Sequence, residues 1–235
     1  MLTRRFVGRW QVGGTSGAVV AVDVLRAFTT AAYAFGAGAS RILLVDSVAD
    51  AIALKAQHPG ALVIGEDSGR KPDGFDLPNS PVEVSGADVG GRTLIQRTSA
   101  GTRGVVAARS ASRLWCASLV CASATARAVA ASGLGEPTYL ITGRFEDRPD
   151  RPGYDDLVTA ELIERARLGH ELDVARTARA VAESDEAVLT LALGRGHVHP
   201  DDIEYAVQVD RFDFAMEVRR AAGLLELRRT DDATR

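Results

Sequence analysis

The chain is short of cysteine, of uninterrupted apolar runs and of positive charge, and each shortage removes a class of protein. Among 235 residues there are two cysteines. Cys116 and Cys121 lack the C-x-x-C spacing, and two thiols make neither a disulfide framework nor a four-thiolate zinc site. They read as reduced core thiols of a cytoplasmic protein. The longest apolar candidate, residues 18–24, is interrupted by Asp23 and falls far short of the roughly 20 residues that span a bilayer. No continuous apolar stretch follows Arg4 and Arg5 before Gly13 and Gly14, so no signal peptide is expected. Lys and Arg total 28 against 31 Asp and Glu, giving a net charge of −3. Dedicated nucleic-acid binders usually carry a basic excess. The expectation is a cytoplasmic protein with neither nucleic-acid nor membrane partners.

Familiar catalytic signatures are missing too. The chain has no G-x-x-x-x-G-K-[ST] and no G-x-G-x-x-G at a strand-to-helix turn, which excludes a P-loop and a dinucleotide fingerprint. It has no G-x-S-x-G, which argues against a hydrolase elbow. Asp23-Val24-Leu25 is not the D-x-D of an aspartate-nucleophile phosphatase.

What is present is an ordinary globular balance, 46% apolar and 25% charged residues. Short β-branched runs alternate with helical stretches of about ten residues. Residues 18–22, 41–45, 61–64, 92–96, 114–120 and 138–142 read as strands. Helices are expected at 25–35, 48–57, 101–108 and 122–131, with Ser47 capping the second and Asp50 supporting its first turn. Further helices are expected at 155–168, 173–183, 186–193 and from about Ile203, where Pro200, Asp201 and Asp202 mark a start. That start also explains His197 and His199 better than a metal cluster does. Residues 67–90, with Pro72, Pro78 and Pro81, form a loop too long for a plain connection.

The alternation predicts an α/β fold with a mainly parallel sheet and helices on both faces. We expect a single domain over 1–228 and a mobile polar tail over 229–235. Residues 212–218 alternate like an exposed strand, with 224–227 as a partner. That strand could pair across a homodimer or close an internal hairpin.

In open parallel sheets, ligands bind beyond the carboxyl ends of the strands. Asp23 follows the first strand, Asp46 the second, Glu66 the third, Arg97 to Thr102 the fourth and Gly143 the sixth. All are expected at one sheet edge. Asp46 is explained as a helix cap. The other acids and the small, hydroxyl-bearing turn suggest a divalent cation, Mg²⁺, beside a phosphate.

These residues resemble the 2-phosphosulfolactate phosphatase (ComB-like) family. Asp23-Val24-Leu25-Arg26-Ala27 with Thr29-Thr30 is similar to its opening motif. Gly65-Glu66 and Gly74-Phe75-Asp76-Leu77-Pro78-Asn79-Ser80-Pro81 resemble its central segments. Thr98-Ser99-Ala100-Gly101-Thr102 resembles its T-T-N-G-T turn, and Asp155-Asp156-Leu157 with Ala160-Glu161 its E-D helix start. The likeness runs from about Ala18 to Asp210. Pro78, Ala100, Asp155 and Glu161 depart from the pattern.

The resemblance implies a three-layer α/β/α fold and a Mg²⁺-dependent phosphatase acting on phosphate esters of 2-hydroxy acids. Its name-giving substrate yields sulfolactate and phosphate on the route to coenzyme M. On this reading Asp23, Glu66 and Asp156 hold Mg²⁺. Arg26 and Arg97 meet the phosphate or a substrate carboxylate. Thr98, Ser99, Gly101 and Thr102 cradle phosphoryl oxygens, and Asp76 and Asn79 orient the ester end. A protein that kept the fold and binds anions or phosphometabolites without turnover is the other reading.

Overall fold

The computed structural model describes residues 5–231. Strand β1 (Phe6–Val7) and helix α1 (Arg9–Val12) lead into β2 (Ala18–Val22), a buried strand as expected. Then come α2 (Ala27–Gly36), β3 (Arg41–Leu44), α3 (Val48–Gln57) and β4 (Leu62–Gly65). The long loop contains β5 (Leu77–Pro78) and α4 (Pro81–Ser85), neither of which was expected. After it follow β6 (Thr93–Arg97), α5 (Gly101–Ala107), β7 (Arg113–Ala117), α6 (Ala122–Ala131) and β8 (Thr138–Ile141). The last elements are α7 (Tyr154–Arg167), α8 (Val174–Ala182), α9 (Asp185–Leu191), α10 (Asp202–Ala206), β9 (Phe214–Ala221) and β10 (Leu224–Asp231). The expected seven-residue strand at 114–120 is shorter, because Leu119–Cys121 turns into a 3₁₀ helix after Ser118.

One ten-stranded sheet runs in the order β1-β8-β2-β7-β9-β10-β3-β6-β4-β5. The first four strands are mutually parallel, and so are the last four. Between them stands the hairpin β9–β10, antiparallel within itself and antiparallel to β7 and β3. Three successive reversals make the second parallel block run opposite to the first. The expected single edge of strand ends is therefore replaced by two sets of ends.

Those ends meet nonetheless. Six strand-to-strand steps separate β2 from β4, and at about 20–25° of twist each they accumulate to roughly 120–150°. That rotation largely undoes the reversal. Helix α5 accordingly lies against β2, β3 and β6 together. The Gln96 amide of β6 donates to the Ala27 carbonyl at 2.8 Å, joining the blocks.

The layers follow from the strand period of two. Val19 and Ala21 face a core built with α2, including Phe28 and Phe35. Val20 and Val22 face the opposite core, with Trp115, Tyr139 and the helices α6 and α7. Leu43, Val63 and Ile95 bury a third cluster beneath Ala51 and Leu54 of α3.

The hairpin corrects two expectations. Strand β9 is central, with Phe214, Ala215, Met216 and Val218 buried, rather than exposed. Both its edges are taken, by β7 and β10, so it offers no strand for a dimer. Strand β10 reaches Asp231, so residues 229–231 belong to the sheet and not to a mobile tail. Residues 232–235 of that tail lie outside the described residues. Both cysteines are buried and free, and burial raises both thiols above their usual range.

Candidate active site

The two sets of strand ends enclose a cavity of about 520 Å³. Its walls include Asp23, Arg26, Glu66, Asn79, Arg97 and the Thr98–Ser99 turn, seven of the expected site residues.

Two glycines allow this convergence. Gly65, with φ +132°, ends β4 so close to β6 that a Cβ would stand 1.9 Å from the Arg97 carbonyl oxygen. The chain then delivers Glu66 into the cavity. Gly101 opens α5 against β2, where a Cβ would lie 2.8 Å from Asp23 Oδ2 and 2.7 Å from Ala27 Cβ.

Asp23 is only 6% exposed. Its Oδ1 accepts the Ala27 N–H at 2.8 Å and its Oδ2 the Thr142 hydroxyl at 2.9 Å. Burial pushes its pKa up to about 6, and the neighbouring Glu66 adds to the rise, while Ala27, Thr142 and Arg26 oppose it. Behind it, Asp156 accepts N–H bonds from Val24 and Gly143, both at 2.8 Å. Burial, with Asp155 and Asp23 nearby, holds Asp156 well above the usual carboxylate range. Asp155 is raised to about 8 by burial, Glu186 and Asp23. Three buried carboxyls thus crowd this end of the molecule, each raised first of all by burial.

The Glu66 carboxylate accepts N–H bonds from Ser99 and Gly69, the latter at 2.6 Å, and the Ser99 hydroxyl at 3.0 Å. Arg97 Nη1 donates to the Glu66 carbonyl at 2.7 Å and to Asp67 at 2.8 Å. Arg26 Nη1 donates to Asp202 at 2.9 Å and to the His197 carbonyl at 2.8 Å. Asn79 is 3% exposed, and its Oδ1 is buried with no hydrogen-bond partner. Buried polar atoms normally find one, and this orphan belongs to a residue that lines the cavity.

Four expected residues stand differently. Asp156 does not line the cavity, because both its oxygens turn to backbone N–H groups. Asp76 faces α3, where it pairs with Lys55 at 2.7 Å and accepts the Val63 N–H at 2.7 Å. Gly101 and Thr102 sit just behind the wall. The Thr98–Thr102 turn is self-satisfied, each threonine hydroxyl accepting the other's N–H at 2.8–2.9 Å. The Ser99 N–H is spent on Glu66. The Thr98, Ser99 and Thr102 N–H groups of the expected cradle are thus committed to holding the turn and Glu66. Asp46, read as a cap, pairs instead with Arg103 at 3.2 Å, and Ser47 caps α3.

Sequence reasoning missed Thr142, Phe145 and Arg148. Arg148 stacks over Phe145, and both line the cavity. Their segment, residues 142–148, carries no pattern that marks it in the sequence.

The donor set can be tested against a divalent cation. Among the described residues, no three His, Cys, Asp or Glu side chains form a metal-binding group. A caged ion therefore does not fit. Mg²⁺, however, uses one or two carboxylates, with waters and substrate phosphates completing its shell. Asp23 and Glu66 are hard oxygen donors lining the same cavity, and they fit that pattern.

Comparison with known proteins agrees with this architecture. Residues 9–221 match the family described as 2-phosphosulpholactate phosphatase. A Bacillus subtilis (strain 168) protein named probable 2-phosphosulfolactate phosphatase is 31% identical over 202 residues, covering 86% of each chain. A Carboxydothermus hydrogenoformans protein of the same name is 35% identical, over 79% of this chain and 71% of its own. A Thermoplasma acidophilum protein, also so named, is 30% identical over 84% of each chain. Among the described residues, no helix is long and apolar enough to cross a membrane.

Proposed function

The chain belongs to the 2-phosphosulfolactate phosphatase family, and from that premise we propose that it is a cytoplasmic, Mg²⁺-dependent phosphatase. Its substrate is the phosphate ester of a small 2-hydroxy acid, 2-phosphosulfolactate or a close relative. The products are the hydroxy acid and inorganic phosphate. The observation that carries this reading is one cavity lined together by Asp23, Glu66, Arg26, Arg97 and Asn79.

Asp23 and Glu66 would hold Mg²⁺, which would supply charge neutralisation for the transferring phosphoryl group. The remaining work falls to the chain. Arg26 and Arg97 are buried cations that bind phosphoryl oxygens and stabilise the charge that builds on them during transfer. The Asn79 amide holds the ester end of the substrate. Ser99 and Gly69 fix the Glu66 carboxylate, and Thr142 fixes that of Asp23. Asp156 acts one step behind, tying Val24 and Gly143 so that the end of β2 keeps its shape.

Phosphate release from 2-phosphosulfolactate and a panel of 2-hydroxy-acid phosphates tests the proposal. Turnover that EDTA abolishes and Mg²⁺ restores is the expected result. Turnover indifferent to EDTA overturns the metal requirement. Ala100 lines the cavity and caps α5 without a side-chain hydrogen bond. That observation favours a second reading, a phosphometabolite-binding protein without turnover. Tight binding without release across the panel would establish it.

A further inference from the structure

The residue that holds Arg26 comes from the far end of the chain. Asp202, on the first turn of α10, is fully buried and does not line the cavity. Its Oδ2 accepts from Arg26 Nη1 at 2.9 Å and from the His199 N–H at 3.0 Å. Its Oδ1 accepts from the Ser80 hydroxyl at 2.6 Å and from the Val82 N–H at 3.4 Å. A carboxylate has about four lone-pair sites. All of them are engaged, so Asp202 has none left for a substrate or a metal.

Its partners are the informative part. Arg26 Nη1 spends its two hydrogens on Asp202 and the His197 carbonyl. Among the described residues the guanidinium donates to no other acceptor. Nε and Nη2 therefore remain as the donors of a cation that is 3% exposed and lines the cavity. Ser80 immediately follows Asn79, which lines the same cavity. One carboxylate thus anchors two separate cavity walls, the start of α2 and the start of α4. A counter-ion alone would need only the Arg26 contact.

Resting on the phosphatase reading above, we propose that Asp202 is a positioning residue that orients Arg26 and the Asn79–Ser80 segment toward the phosphate. It acts through those groups and touches no substrate. Outer partners of metal ligands typically cost about 10–100-fold when removed, and the same scale is expected for a carboxylate that aims a phosphate-binding arginine.

The test is a double-mutant cycle on the full chain, read by calorimetric binding of inorganic phosphate and by kcat and KM for 2-phosphosulfolactate. Asp202→Asn should weaken phosphate binding and lower kcat/KM by about 10–100-fold. In an Arg26→Gln background the same change should add less than about threefold, because coupled residues are not additive. Equal losses in both backgrounds, or no loss in the single variant, overturn the proposal. If Asp202→Asn does not fold, Ser80→Ala carries the test by removing one bond from the same carboxylate. Phosphate affinity should then fall about two- to tenfold, and unchanged affinity overturns the proposal. A wild-type chain without turnover, whose phosphate binding still collapses in Asp202→Asn but not additively with Arg26→Gln, removes the phosphatase reading and keeps the positioning role.

Discussion

Asp23 carries a charge that its surroundings disfavour, and this gives its substitution an unusual signature. Burial raises its pKa to about 6, so the ionised form is held in place at a cost to the fold. Asp23→Asn keeps the shape: its one amide oxygen can still accept the Ala27 N–H, and its NH2 can donate to the Thr142 hydroxyl oxygen in place of the bond Oδ2 accepts. Thermal stability should hold or rise, while phosphate release falls about a hundredfold or more, the scale of losing one preorganised charge. Unchanged turnover in the purified variant removes Asp23 from the chemistry. Gly101 acts on the same carboxylate by leaving space. A Cβ there would press on Asp23 Oδ2 and on Ala27 Cβ, and neither sits at the free end of a flexible chain. Gly101→Ala should cost about 1–3 kcal/mol in urea unfolding and about 10–100-fold in turnover through misplacement of Asp23. Asp76 is the counter-case. Its half-exposed pair with Lys55 is worth about 0–1 kcal/mol. Asp76→Asn should leave phosphate release unchanged.

At the scale of elements, most local signals were legible where the partner was close in sequence. The Ser47–Asp50 cap of α3 forms as read, the Asp50 N–H donating to Ser47 Oγ at 3.0 Å. Asp23, Glu66, Thr98 and Ser99 could be placed at the cavity from sequence because each follows a strand. Helix α4 was missed although Ser80, Pro81 and Glu83 spell a helix start, because the surrounding prolines and glycines read as loop. Asp202 could not be found, since its bond to Arg26 spans 176 positions and no local pattern announces it. The docking of α7 on β8 is of the same long-range kind, and it makes the fold sensitive to acid. Glu164 of α7 accepts the Tyr139 hydroxyl at 2.9 Å and Arg167 Nε at 2.7 Å, and pairs with Arg5 at 2.6 Å. Burial pushes its carboxyl up, but these bonds outweigh burial and hold it below its ordinary value. A carboxyl lowered in the fold stabilises it above the unfolded pKa, about 4.3. That contribution disappears as pH falls through the folded value. Glu164→Gln should therefore cost about 1.5–3 kcal/mol at pH 7. The gap between the two urea curves should close as the pH is taken below about 4.

For the molecule as a whole, the decisive element is the last one made. The segment 212–218 has the alternation of a half-exposed strand, and arginines at 219, 220, 228 and 229 strengthen that impression. Alternation reports which faces are buried, however, and not whether the edges are paired. Here both edges of β9 are paired, and β10 joins it to β3. The arginines fall toward the ends of the hairpin, while Phe214, Met216, Val218 and Leu227 enter the core. The two parallel blocks therefore share a sheet only through residues 214–231, and the cavity exists only because the twist across that hairpin brings their ends together. Removing residues 222–235 would leave β9 and β3 as raw edges and separate Asp23 from Glu66. That chain should show neither cooperative unfolding nor phosphate release. Leu227→Ala is the milder version, removing a fully buried side chain at the join. It should cost about 2–5 kcal/mol, with Trp115 fluorescence in one block and amide exchange of β6 in the other moving at the same urea concentration. Two separate transitions would show that each block folds alone, and the hairpin would then be a clasp between finished halves rather than the centre of one sheet.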